Sequence, residues 1–254
     1  MGYAIDQYAL RWRKAGHRVR YHVGPDCVPA SDVLIVHVDR TRVPESYHPL
    51  IQQHPCVING RILDSSRRRF SELLLSQDSS YDGPVIVKTN ANFGAIPEYG
   101  DSKATRGWSS VKSLPPTAYP IFPSRRDVPE EIWGNPHLVV ERFVGDRRDE
   151  LFRLNYYVFF GTREYGGQLS SRSPIVKFGN AIDDTEYEPP AKVKSVRKKL
   201  GVDFGRIDYV LDEGVPRVID VNKTEGGGQA CFDYPEFMDM MAAGLDDFIG
   251  MRRS

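Results

Sequence analysis

The stretch GRIDYVLDEGVPRVIDVNKTEGGG, Gly205 to Gly228, holds two β-type runs, RIDYVL and RVIDVN, on either side of Asp212-Glu213-Gly214. β-Branched and aromatic residues around turn chemistry predict an antiparallel hairpin. Each strand nevertheless carries an aspartate in an apolar frame, Asp208 in the first and Asp220 in the second, with Asn222 two places on. Side chains alternate faces with period two, so Arg206 shares a face with Asp208, and Asp220 shares one with Asn222. A connection with an odd number of residues, such as Glu213-Gly214-Val215, sets Asp208 opposite Asp220 and Arg206 opposite Asn222. A two- or four-residue connection puts the aspartates on opposite faces. In the odd register two carboxylates and an amide oxygen converge, which is costly unless a cation lies between them. Oxygen-only ligands of this kind suit Mg2+ or Mn2+. Asp208 alone would read as a carboxylate on a solvated face. The pair, Asn222 and the glycine-rich turn together favour a metal site.

A chain of 254 residues can form one large domain or two compact ones. Its 34 basic residues balance 34 acidic ones, so no global charge draws it to nucleic acid or to a membrane. The N-terminus has no apolar run of signal-peptide length, and nothing approaches the roughly 20 apolar residues of a membrane span. A cytoplasmic protein is expected. Cys27, Cys56 and Cys231 are far apart and match no metal spacing, so they read as thiols in a reducing compartment.

Residues from about Ile5 to Ala15 have helical spacing, and HRVRYHV and DVLIVHVD follow as strand-like runs, the order of a small α/β sheet. Strand ends in such sheets open onto crevices, which makes His37, Asp39, Arg40 and Arg42 substrate-facing candidates or an ordinary polar loop. CVING is a short strand, and DSSRRRFSELLL has the form of a helix capped by Ser65 or Ser66. After a linker at SQDSSYDG, PVIVKT is a strand ending in Lys88, and TNANFGAIPEYGDSKATRGW a polar loop. PHLVVERFV and ELFRLNYYVFFG are further strands, and AKVKSVRKKLGVD is a basic amphipathic helix stopped by Gly201. The second half is therefore α+β.

A strand-end lysine (PVIVK), a glycine-bearing loop, an acid-bearing strand entering a connection (VVERFV) and a carboxylate hairpin ending in D-x-N resemble, in that order, the ATP-grasp superfamily of glutathione synthetase and D-alanine:D-alanine ligase. The resemblance spans roughly residues 82 to 230. It implies a mixed α+β and α/β fold: an N-terminal α/β domain over 1–78 and an ATP-grasp domain over 79–254, with a trimmed ATP-binding half at 79–146 and a metal and catalytic half at 147–254. It implies that Lys88 meets phosphates, that the loop Asn90 to Gly94, with Asn92 and Gly94, covers them, and that Glu141 is the hinge acid. Arg142, Phe143 and Val144 would then offer backbone groups to adenine, and Glu150 would hold ribose, a role shared with a plain solvated strand end. Family members carry a lysine early in the helix before the linker; here stand Arg67, Arg68 and Arg69, with Arg68 taken as the phosphate contact. Arg153, Arg206 and Lys177 would serve catalysis, and Asp208, Asp220 and Asn222 would hold Mg2+, because phosphoryl transfer rests on positioning and charge neutralisation.

The implied activity is an ATP- and Mg2+-dependent ligase joining a carboxylate to an amine or thiol through an acyl phosphate. Arg40, Arg42, Arg153 and Arg172 suggest an anionic small molecule or peptide as substrate. A small-molecule kinase and a degenerate nucleotide-binding regulatory module are the alternatives. No nucleic-acid or membrane partner is expected, and homodimerisation stays open.

Overall fold

A computed structural model of the chain describes residues 2–100, 107–226 and 234–249. Cys231 and Gly227-Gly228 of the glycine-rich turn lie outside the described residues. Helix α1 (Ala4–Lys14) repeats apolar residues at helical spacing and buries Ile5, Tyr8, Ala9 and Trp12. HRVRYHV, expected as a strand, forms neither helix nor strand, and Val23 at its end is 98 % exposed. Of DVLIVHVD only β1 (Leu34–Ile35) is regular; it pairs in parallel with β2 (Val57–Ile58), and α2 (His48–Gln53) connects them. Helix α3 (Arg67–Phe70) is a single turn. The expected continuation of this helix through SELLL is corrected by the structure: Leu73 O accepts from Arg142 N and Leu75 N donates to Val140 O, so the leucines run along a sheet edge.

That edge belongs to a three-stranded antiparallel sheet in the order β4 (Ile121–Phe122), β3 (Val85–Thr89), β5 (Leu138–Arg142). Val85, Val87, Leu138 and Val140 pack with Val111, Leu114 and Ile132, whereas Lys88 turns to the other side together with Ile86, which also joins that cluster. Short helices α4 (Ile96–Tyr99) and α5 (Glu130–Trp133) lie in the connections.

The larger antiparallel sheet comprises β6 (Arg147–Arg148), β7 (Leu151–Phe160), β8 (Arg163–Ser171), β9 (Asp183–Glu186), β10 (Phe204–Asp212) and β11 (Val215–Asn222), in the order β11-β10-β7-β8-β9 with β6 alongside β7. Helix α6 (Ala191–Leu200) ends at Gly201, whose φ of 69° suits a glycine stop. Tyr157, Phe159, Ile207 and Tyr209 cluster with Val193 of α6 on one face. Leu154, Tyr156, Val158 and Phe160 face the other way and cluster with α1 and with α7 (Pro235–Ala242). The Trp12 indole N–H donates to Ala242 O at 2.8 Å. The N-terminal helix thus shares the core of the large sheet. A final turn, α8 (Asp246–Ile249), closes the described chain, and no helix among the described residues is long and apolar enough to cross a membrane.

The hairpin that decides the site reaches its register by an unexpected route. Its turn has two residues, Glu213 and Gly214, with φ of 51° and 83°, and Asp212 pairs with Val215. That turn by itself would place Ile219 opposite Asp208. A bulge between Asp208 and Tyr209 on the β10 side adds one residue to β11, so Tyr209 pairs with Val218 but Asp208 pairs with Asp220 and Arg206 with Asn222. The odd residue expected in the turn sits in the strand instead. Gly205 protects this end of the hairpin: its φ is 151°, and a Cβ there would lie 2.2 Å from Asn222 O. Gly205→Ala is therefore expected to destabilise the chain by at least the about 1–3 kcal/mol of an overpacked core, read as a lower urea midpoint.

Candidate active site

A cleft runs between the small sheet and the α1 face of the large one, walled by Ile86, Lys88, Val144, Asp146, Asp208 and Asp220, among others. Lys88 and Glu141 share the cleft side of the small sheet and form an ion pair of 2.9 Å, with Glu141 fully buried. Burial pushes the Lys88 ammonium below its ordinary range, opposed by Glu141. Burial also pushes Glu141 up, but Lys88 and Arg67 outweigh it, and the carboxyl is held below its usual range.

Arg67 is 3 % exposed and spans the two halves. Its Nε donates to Thr89 O at 3.0 Å on β3, its Nη1 to Ile219 O on β11, and its Nη2 to Asp220 Oδ1 at 3.3 Å. A bulge leaves a strand residue outside the ladder, and Arg67 supplies the donor for that residue's carbonyl. Arg68, expected to face phosphate, is exposed and donates to Leu138 O, so among the three arginines it is Arg67 that enters the cleft. A one-turn helix can aim only one of three consecutive side chains at a given neighbour.

Asp208 and Asp220 face each other across the hairpin, and the hydrogen bonds they make among the described residues fall on Oδ1: Arg206 at 2.5 Å for Asp208, Arg67 and Val221 N for Asp220. Asn222 is on the same face, with its Oδ1 accepting from Thr224 N at 2.9 Å. No group of three or more His, Cys, Asp or Glu that could hold a metal occurs among the described residues. The donor set is two carboxylates with Oδ2 uncommitted and one amide oxygen, all hard ligands, and it fits Mg2+.

Arg206 is clamped with its guanidinium 4.7 Å from the Tyr156 ring centroid and 4.6 Å from that of Phe178, and Asp208 holds its edge. Lys177, next to Phe178, lies on the cleft wall. Arg153 lines the cleft, but from the other face of β7. It shares the parity of Asn155 and Tyr157, and its Nη1 donates to Gln168 Oε1 at 3.0 Å, whereas Asp208 pairs with Tyr156 on the opposite face. Arg153 touches the cleft near the start of β7, but its guanidinium belongs to a buried Arg153–Gln168–Asn155 network.

At the hinge, the Arg142 and Phe143 amides already donate to Leu73 O and Pro84 O, at 2.8 and 2.9 Å, and the Arg142 side chain pairs with Asp212. No such bond occupies the Val144 amide among the described residues. Glu150, expected at ribose, is exposed with φ of 68° in the tight β6–β7 turn and is not on the cleft wall. Asp146 is there in its stead, buried, with Oδ2 lacking a partner. Sequence reasoning passed over it, although it is the first acid after VVERFVG. Tyr119 was missed too, and no local pattern marks it; its phenol lies near Arg67 and Asp220, and burial pushes it up.

Asn92 and Gly94 are not themselves on the cleft wall, though the Gly94 backbone hydrogen-bonds Tyr119, which is. Asn92 N donates to Thr41 Oγ1 at 2.7 Å, and Gly94 O accepts from Leu114 N at 3.0 Å. A Cβ at Gly94 would lie 2.0 Å from Leu114 O, so close packing here requires a glycine. Arg40, Arg42 and Arg172 are exposed and absent from the cleft wall, with Arg42 paired to Asp64; the cations that line the cleft are Arg67, Lys88, Arg142, Arg153 and Lys177. His37 and Asp39 lie instead against α1, where Asp39 accepts from Thr224 Oγ1.

No protein-family model matches the chain, and no curated protein matches it in sequence. In three dimensions it is similar to the RimK domain protein ATP-grasp of Sphaerobacter thermophilus, with a TM-score of 0.53 and 12 % identity over 97 % of this chain and 95 % of that one. The D-alanine–D-alanine ligase of Coxiella burnetii gives a TM-score of 0.45 at 12 % identity, covering 87 % of this chain and 68 % of that one. With the two sheets closing on a cleft and the near-complete mutual coverage of the first of these structures, the chain is built on the ATP-grasp fold.

Proposed function

We propose that the chain is an ATP- and Mg2+-dependent ligase that joins a carboxylate to an amine or thiol through an acyl phosphate. The observation that carries this reading is the in-register pair Asp208 and Asp220 on the wall of a cleft that also holds Arg67, Lys88 and Lys177. Asp208, Asp220 and Asn222 would hold Mg2+, which when bound would neutralise phosphate oxygens during transfer. Lys88, Arg67 and Lys177 would meet the phosphates, Val144 the adenine edge and Asp146 the ribose. Arg206, fixed by two rings and a carboxylate, would present its remaining N–H groups to the substrate carboxylate as a rigid fork. The substrate would be a small carboxylic acid or a peptide.

One observation favours the alternative of a regulatory module: the cleft encloses about 70 Å3, less than the roughly 300–1,000 Å3 of small-molecule sites. On the ligase reading, nucleotide entry opens the cleft and exchanges the Arg67–Asp220 and Lys88–Glu141 contacts for contacts to phosphate. Mg-ATP is expected to raise the melting temperature, by about 2.7 kcal/mol of stabilisation at a hundred times Kd, and EDTA to remove the effect. ADP release with pooled carboxylic acids, amino acids and short peptides then separates the readings. Stabilisation without ADP release in any pool supports the module, and no stabilisation at all sinks both.

A further inference from the structure

A roomier cavity lies away from the cleft, under α1. It encloses about 820 Å3, within the range of about 300–1,000 Å3 typical of small-molecule sites. Much of it is lined by the segment of residues 17–33, which crosses from α1 to β1 without forming helix or strand. The deep wall is apolar and comes from separate parts of the chain: Ile5 and Trp12 of α1, Ile35 of β1, Leu50 and Ile51 of α2, and Leu245. Charged groups sit unequally around it. Asp6 already accepts from Tyr3 N and Tyr21 Oη, both at 3.0 Å, and Asp39 from Tyr3 Oη and Thr224 Oγ1, while Asp32 is exposed. Arg18 and Arg20, on the crossing segment, line the cavity and take part in no ion pair among the described residues. Apolar depth with occupied anions and uncommitted guanidiniums matches one chemistry, an apolar body with an anionic end.

We propose that this cavity is a binding site for an aliphatic carboxylate, its chain against Trp12 and Ile35 and its anionic group at Arg18 and Arg20. The site is separate from the nucleotide cleft and does not rest on the ligase reading. Sodium decanoate is the probe, titrated into the full chain by calorimetry and followed by tryptophan emission, to which Trp12 reports from the wall. Saturable binding of one decanoate per chain is expected, weakened at least about tenfold in R18E/R20E by loss of charge-assisted contacts. Both arginines are exposed, so this variant keeps its fold. V33W, which fills the cavity from the crossing segment, is expected to abolish binding. Heat that fails to saturate up to about 1 mM overturns the proposal, as does equal affinity in R18E/R20E. A chain that sediments as a dimer and binds no decanoate also overturns it, since a second copy would then cover this face.

Discussion

Lys88→Ala is expected to destabilise the chain by about 3–5 kcal/mol, the cost of stripping one partner from a buried ion pair. Glu141 is 0 % exposed, and Lys88 at 2.9 Å is the nearest compensating charge. Without it, only Arg67 and the Ser71 hydroxyl are left to oppose burial, and the Glu141 carboxyl is pushed up from where the pair holds it. A group with a raised folded-state pKa favours folding at low pH and loses that contribution as pH rises. The deficit of the variant should therefore shrink as pH falls toward the carboxylate range. Urea unfolding at two pH values measures both effects, and removing both charges in K88M/E141L should recover most of the loss. A single variant within about 1 kcal/mol of wild type at neutral pH would show that the pair adds nothing to the fold. Any change in ATP affinity must be read against this structural cost, which the sequence alone did not reveal.

Asp220→Asn is expected to abolish Mg-ATP stabilisation and any ADP release, because it removes one of the two anionic ligands. Relief of repulsion from Asp208 would by itself make the metal-free chain firmer. The structure reverses that expectation, since Asp220 is the counter-charge of Arg67, whose guanidinium is buried. The metal-free variant should melt lower, toward the smaller end of the about 3–5 kcal/mol expected of a broken buried pair, because two carbonyls still hold Arg67. Asp208→Asn should equally abolish the Mg-ATP response and leave Arg67 paired, but it breaks the Asp208–Arg206 pair instead, so its metal-free melting temperature should fall as well. If Asp220→Asn releases ADP like wild type, the metal assignment fails.

Much of the larger sheet was readable because its information is local. Period-two runs bounded by glycine marked β7, β10 and β11, and Gly201 marked the end of α6. What failed depended on neighbours. SELLL has leucines spaced for a helix as well as for a strand, and the free edge of β5 decided between them. Arg153 does line the cleft, but that it leaves β7 on the face away from Asp208 follows from a pairing that no stretch of sequence displays. Glu150 and Asp146 differ by four places, and only the tight β6–β7 turn sends the first outward.

The extra residue in β11 serves anchorage rather than alignment. Deleting Ile219 would leave the two-residue turn to set the register alone, and Asp220, now directly after Val218, would still fall opposite Asp208. Arg67 would lose the spare carbonyl it holds there. A graft that copies only the spacing of D-x-N into another hairpin would therefore bring the two carboxylates together and leave the arginine between the sheets without its anchor.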